Sequence, residues 1–260
     1  RDLHKEYRRQ RQMCIRDRNS GLQFFDGIES EQIQNILIKS ASDLISLDSP
    51  NYQFVAARLL LFSVRKQVFP EWNNTGYPKL KDHVNTCAEA GVYDGGILKK
   101  YDDEEWEELN SYIDHQRCYG FTYAGLRQIV DKYLVQDRST GSVYETPQYM
   151  YIMVAATLFQ DYPKEKRLDY VKRYYTATSK GKINVPTPVL AGVRTPLRQF
   201  ASCVLVDVDD TLDSIFTSDM AIGRYVAQRA GIGINAGRVR GINSKTVSYT
   251  HLTLPTILLV

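Results

Sequence analysis

The sequence predicts a mainly α N-terminal region that passes, near Ile183, into α/β structure. Three observations predict it. From residue 30 to about residue 178 the apolar positions recur at helical spacing. Pro186, Pro188, Gly192 and Pro196 then break that pattern. Residues 203–208 (CVLVDV) form an apolar, β-branched run of strand length, followed by a helical stretch and the Gly-rich AGIGINAG.

The two ends are set aside before any element is read. With plausible codons, the reverse complement of the DNA for residues 4–17 translates as residues 247–260. Two segments of one protein have no reason to be antisense copies, so 1–18 and 247–260 are expected to be translated sequencing-adapter DNA, not native sequence. The native part then occupies about 19–246 and is expected to be a fragment. The whole chain has a formal charge of +3. Residues 1–18 hold seven Lys/Arg against three Asp/Glu and 247–260 hold none, which leaves 26 basic and 27 acidic residues, about −1. The apparent basicity therefore supports no nucleic-acid partner. With Cys14 removed, Cys87, Cys118 and Cys203 remain, without a CxxC, which points to a reducing, cytosolic setting and away from disulfides or zinc. No run of eighteen apolar residues exists, so no membrane span is expected and no metal site is assigned.

Ile33, Ile36, Leu37, Ala41 and Leu44 give the first helix one apolar stripe, with Ser30 as the expected N-cap. Ser49-Pro50 starts a second helix carrying Val55, Leu59 and Phe62 and ending at Arg65 and Lys66, a charge pair that suits a helix C-terminus. Residues 70–78 read as a loop, 79–90 as a helix with Leu80, Val84, Cys87 and Ala88 on its apolar face. Asp102 and Glu105 have capping-box spacing ahead of Trp106, Leu109 and Ile113. His83 and His115 have no companion at ligand spacing and are expected to be solvated or hydrogen-bonded. A helix is expected over 122–134, a small hairpin over LVQDRSTGSVYET, and Tyr-rich helices over about 147–160 and 164–178. Thr187, between two prolines, is expected to be extended. The run 203–208 is expected to be a buried strand, 216–229 a helix, and AGIGINAG a loop or strand whose amides suit a close approach to phosphate.

Asp207, Asp209 and Thr211 fit a DxDxT pattern directly after a strand. That pattern resembles haloacid-dehalogenase-type phosphatases, with Asp207 as nucleophile and Asp209 as acid/base. A solvated acidic turn capping a helix is the plainer alternative. A third, non-catalytic reading is a helical nucleotide-binding module over residues 20–180.

The neighbouring motifs outweigh the cluster. Val185-Pro-Thr-Pro, GVRTPLRQFASCVL and QRAGIGINAGRVR, in this order and spacing, closely resemble the large subunit of class I ribonucleotide reductase. The resemblance extends upstream through YLVQDRSTGSVYETPQYMYI, PNYQFVAARLLLF and FFDGIESEQI, and covers essentially residues 21–245.

The resemblance implies a mainly α N-terminal region leading into the first strands of an incomplete ten-stranded α/β barrel. Its divisions fall at 19–69 (second half of an ATP cone), 70–182 (helical domain with the hairpin) and 183–246 (start of the barrel). It implies radical reduction of ribonucleoside diphosphates, with Cys203 as one thiol of the redox pair that supplies two electrons. Thr187, Ser202, Ala230 and Gly231 match substrate-lining positions, where small hydroxyls and bare amides suit an anion. Asp210 and Arg240 match the site of a deoxynucleotide effector, the carboxylate for the ribose and the guanidinium for phosphate. Ser30 and Lys66 fall on nucleotide-contacting positions of the cone, while Gln34 and Ser63 stand where other members carry histidines. The cone's first half, with its glycine turn, has no counterpart here, so a complete ATP site is not expected. The resemblance further implies no directly bound cofactor, a radical supplied by a metal-containing small subunit, ATP or dNTP effectors, reduction by thioredoxin or glutaredoxin, a homodimer, and a cytoplasmic location. The thiyl cysteine and the partner of Cys203 are expected beyond residue 245, so the 260-residue chain is expected to be inactive and its barrel portion poorly folded alone.

Overall fold

The structure, a computed structural model, describes residues 25–71, 76–137, 139–197, 200–228, 230–241 and 244. The stretches read as adapter-derived, 1–18 and 247–260, lie outside the described residues, as do residues 19–24 of the expected cone and 72–75 of the expected loop. The chain divides into two compact units between residues 198 and 199.

The first unit is helical. Its α-helices are α1 (Ser30–Ser42), α2 (Tyr52–Val68), α3 (Leu80–Glu89), α4 (Asp103–Ser111), α5 (Tyr123–Gln128), α6 (Pro147–Phe159), α7 (Lys164–Ser179) and α8 (Thr187–Gly192). Helix α6 is apolar on all sides, so it must be surrounded, and it joins the two core clusters. Tyr149, Ile152, Met153 and Ala156 pack with Leu80, Val84, Trp106 and Val171 on one side. Met150 and Val154 pack with Leu61, Val64, Leu126, Leu190 and Val193 on the other.

Several local expectations are met. Asp102 accepts the Glu105 N–H at 2.9 Å and Glu105 accepts the Asp102 N–H at 3.0 Å, a complete capping box. The Glu105 carboxylate also receives the Arg167 guanidinium from α7, so the cap doubles as an interhelical tie. The hairpin is present as a single antiparallel bridge between Gln136 and Val143, turning through Gly141 at φ 75. Cys87 is buried on α3, as expected.

Other expectations are corrected. Ser30 is the first helical residue, and the N-cap is Glu29, whose N–H donates to the Gln32 side chain at 3.1 Å. The helix expected over 122–134 is the short α5 followed by a π-turn over Ile129–Tyr133, closed by the Leu134 N–H on the Ile129 carbonyl. The π-turn presents the Tyr133 carbonyl to Arg194, which bonds it at 2.9 Å. Thr187 is helical, not extended: Pro188 sits in the first turn of α8, where a missing N–H costs nothing. Arg65 does more than complement the helix C-terminus; it is buried, donates to the Tyr119 hydroxyl at 3.0 Å and lies over the Tyr77 and Tyr119 rings.

Of the two histidines expected to be solvated or hydrogen-bonded, His83 is buried with its Nε2 3.5 Å from the Cys87 sulfur, and both are packed among aromatic rings. His83 meets Phe69, Tyr93 and Tyr149 edges, and His115 stacks on Tyr77 with centroids 3.5 Å apart. Burial pulls His83 down to about 4 against the opposing pull of Glu145. Burial, helped by Arg65, pulls His115 down to about 4.

Residues 183–197, read as the opening of the barrel, pack with the helical unit. The cause is a fully buried pair, Arg194 and Glu145. The Arg194 Nε donates to Glu145 at 2.8 Å, and the rest of its guanidinium goes to Glu145 and to the Leu190 and Tyr133 carbonyls. Glu145 also accepts the Val135 N–H at 2.7 Å and the Tyr93 hydroxyl.

The second unit is a β-α-β arrangement: β1 (Cys203–Asp207), α9 (Leu212–Ala227) and β2 (Gly231–Asn235). The strands pair in parallel with Cys203 opposite Gly231 and Asp207 opposite Asn235. The strand read as buried is exposed on the Cys203, Leu205 and Asp207 face, Leu205 being 88% accessible, because among the described residues no element covers that face. AGIGINAG is resolved as strand β2, and the sheet is an open pair.

Two outcomes follow for the first unit. Arg194→Met leaves the Glu145 carboxylate buried without its charge partner and is expected to lower the unfolding free energy by about 3–5 kcal/mol, measured by urea denaturation. Because His83 and His115 are held below the ordinary imidazole value, the unfolded chain takes up their protons first. The histidine contribution to stability is therefore expected to be fully present above pH 6.5 and to be lost as pH drops from 6.5 toward 4. His83→Gln and His115→Gln should each flatten that slope in pH-resolved denaturation.

Candidate functional site

The residues assigned by motif fall in three places. Ser30 opens α1 and Lys66 lies in the last turn of α2; both are exposed, and Lys66 Nζ donates to the Pro70 carbonyl at 3.5 Å. Gln34 donates to the Leu59 carbonyl at 2.7 Å, tying the two helices together. Thr187 is exposed at the start of α8, in the helical unit.

Ser202, Cys203, Ala230 and Gly231 are brought together in the second unit. The Gly231 N–H donates to the Ser202 carbonyl at 2.8 Å, and Cys203 is its neighbour across the strand pair. The Ser202 hydroxyl points at the Cys203 sulfur, 3.8 Å away. A Cβ on Gly231 would sit 3.4 Å from the Ser202 carbonyl oxygen, so the two strand starts are close at this point. Ala230 is buried beside them, its N–H on the Tyr225 carbonyl. An exposed thiol, a hydroxyl and a bare glycine edge therefore share one end of the strand pair.

The other end holds the charges. Asp210 accepts the Arg240 backbone N–H at 3.2 Å and its Nε at 2.7 Å. The Arg240 backbone N–H, then its side chain, holds the Asp210 carboxyl below the usual carboxylate range. Asp207 accepts the Asn235 amide at 2.9 Å and lies 3.1 Å from the Arg238 guanidinium, which also reaches Asp209 at 3.0 Å. Thr211 caps α9, accepting the Ser214 N–H at 3.1 Å. The motif reading missed Arg238 and Asn235, although the alternation in NAGRVR places Arg238 and Arg240 two residues apart.

This geometry disfavours the phosphatase reading. Asp207 is already engaged by Asn235 and Arg238, and among the described residues no group of three His, Cys, Asp or Glu side chains is placed to hold a metal ion. Among them, too, no helix is long and apolar enough to cross a membrane. Of the three described cysteines, Cys203 alone is exposed; burial pushes Cys87 up to about 12 and Cys118 up to about 11.

Comparison with known proteins decides the family. Residues 119–198 match the model described as "Ribonucleotide reductase, all-alpha domain", and residues 201–252 match "Ribonucleotide reductase, barrel domain". The chain is similar to "Ribonucleoside-diphosphate reductase subunit alpha" of Haemophilus influenzae, 51% identical over 87% of the chain and 30% of that relative. "Ribonucleoside-diphosphate reductase 1 subunit alpha" of Escherichia coli is 51% identical over 86% of the chain and 29% of its own length. The Helicobacter pylori alpha subunit is 34% identical over 91% of the chain and 29% of its length. The chain belongs to the ribonucleotide reductase large-subunit family. It spans about 30% of the length of these relatives. The match to the all-alpha domain falls in the mainly helical region and the two strands fall within the match to the barrel domain, and the phosphatase and helical-module readings are not favoured.

In the reductase chain the three described thiols separate by access. Alkylation with iodoacetamide near pH 8, followed by mass spectrometry, is expected to label Cys203 well before Cys87 and Cys118.

Proposed function

We propose that the chain is part of the large subunit of a ribonucleoside-diphosphate reductase, which converts ribonucleotides to deoxyribonucleotides by radical chemistry under nucleotide control. The observation that carries the reading is the strand pair: an exposed cysteine, a serine and a glycine edge at one end, an Asp–Arg pair at the other, within a chain about half identical to reductase alpha subunits.

On this reading Cys203 is one of the two thiols that deliver two electrons to the substrate and finish as a disulfide. Ser202, Ala230 and Gly231 line the ribonucleoside diphosphate, and Thr187 is a substrate-binding residue by its motif. Exposed amide and hydroxyl groups at a glycine edge suit an anion that approaches the backbone closely. Asp210 takes the ribose of a dNTP effector and Arg240 its phosphate. Ser30 and Lys66 belong to the remaining half of an ATP cone. The partners are a metal-containing small subunit that supplies the radical, thioredoxin or glutaredoxin as reductant, and a second copy of the large subunit, in the cytoplasm. The domain divisions proposed are 19–69, 70–182 and 183–246.

Two-electron reduction by thiols needs a second thiol within bonding reach of the first. Among the described residues the only other thiols are buried in the helical unit. The 260-residue chain alone is therefore expected to show no reductase turnover with a radical-generating subunit and dithiothreitol. In the longer gene product, Cys203→Ser is expected to abolish repeated turnover while leaving effector binding intact. Turnover by the isolated chain, or by the Cys203→Ser enzyme, would remove the assignment of Cys203.

A further inference from the structure

The loops after β1 and β2 are joined at three successive rungs. Asp207 is held by Asn235 and Arg238, Asp209 by Arg238, and Asp210 by Arg240. The rungs are bracketed by backbone bonds: the Val208 N–H donates to the Asn235 carbonyl at 3.1 Å, and the Thr211 N–H to the Asp209 carbonyl at 2.9 Å. Three carboxylates thus lie within four residues, facing two arginines two residues apart.

As single contacts the Arg238 pairs are exposed and worth little. Their geometry matters more than their energy. A planar guanidinium shared by two carboxylates has a fixed orientation, and it fixes the backbone that carries it. Without it, Asp207 and Asp209 repel one another, and Arg240 becomes the cation that three carboxylates compete for. The segment then has several pairings of similar energy in place of one.

We propose that Arg238 is a positioning residue for the Asp210–Arg240 nucleotide site: by occupying Asp207 and Asp209 it reserves Arg240 for Asp210 and for the phosphates of a deoxynucleoside triphosphate. The inference rests on the effector reading of that pair and adds to it a residue that need not touch the nucleotide. Lysine at 238 supplies one point charge and cannot bridge both carboxylates, so it restores part of the effect. Glutamine keeps hydrogen bonding but no charge.

The test uses the longer gene product, in which the Cys203→Ser variant is also made. Anisotropy of methylanthraniloyl-dATP, competed with dTTP, reads binding; carbon-13 detection reads the Asp210 carboxyl titration; thermal unfolding reads the fold. Arg238→Gln is expected to weaken binding roughly tenfold, to move the Asp210 titration up toward that of a free carboxylate, and to leave the unfolding temperature unchanged. Arg238→Lys should fall between it and the parent. If Asp210→Asn and Arg240→Gln weaken binding while Arg238→Gln matches the parent in affinity and in the Asp210 titration, the positioning role is overturned and the effector reading stands. If the parent does not bind, or Asp210→Asn and Arg240→Gln bind like the parent, the effector reading fails and takes the inference with it. If Arg238→Gln loses affinity only in step with a lowered unfolding temperature, its role is structural and the inference is overturned.

Discussion

The helical unit depends on one buried ion pair. Arg194 and Glu145 are both withdrawn completely from water, which is costly unless every donor and lone pair is engaged. Here each guanidinium nitrogen and both carboxylate oxygens have partners: the pair gathers the Tyr93 hydroxyl, the Val135 N–H, and the Tyr133 and Leu190 carbonyls. The Asp94 N–H closes on the Arg194 carbonyl at 2.9 Å. Segments separated by as much as a hundred residues are thereby fixed to a single point. Apolar side chains of similar volume satisfy a core equally well, but they accept many registers; this arrangement of donors and acceptors accepts one. The α8 segment that carries Thr187 is held in place by the same pair, since Leu190 and Arg194 belong to it and to the turn that follows.

The second unit is built on different physics. It has little apolar core of its own, and its large side chains Leu205, Phe216, Met220 and Val226 are exposed. Its order comes from the parallel ladder and from the charged rungs at the strand ends. Family membership and placement agree here: the matched barrel model starts at residue 201, two residues before the strand that opens on the thiol.

Much of the helical unit was legible because its signals are local. The Asp102–Glu105 box, the Gly141 turn and the amphipathic stripe of α3 depend on residues three or four apart. The errors arise where distant partners decide. Thr187 looked extended between prolines, but the first turn of α8 tolerates Pro188, and Leu190 and Val193 anchor that helix in the core. Nothing in the sequence shows that Arg65, read as a helix-end charge, and the two histidines, read as solvated or hydrogen-bonded, are wrapped by tyrosines distant in the chain. The change in composition at Ile183 marks a proposed domain division, and the Glu145–Arg194 pair ties the segment just after it to the helical unit. For the candidate site, Cys203, Asp210 and Arg240 were found through motif resemblance. The alignment of Cys203 with Gly231 could not be read, because a parallel register depends on how the intervening helix returns the chain.

Strand β1 is short and fully extended. Cys203 stands at its first residue and Asp207 at its last, a span of about 13 Å at the usual rise per residue. An extended strand bonded along one edge has almost no slack: it can tilt or slide, but it cannot lengthen. Any displacement of the loop that carries Asp209 and Asp210 must reach the thiol end nearly undiminished, or else break rungs of the ladder with β2. The strand is in this sense a push-rod, and its stiffness is set by ten residues of backbone pairing, not by any side chain.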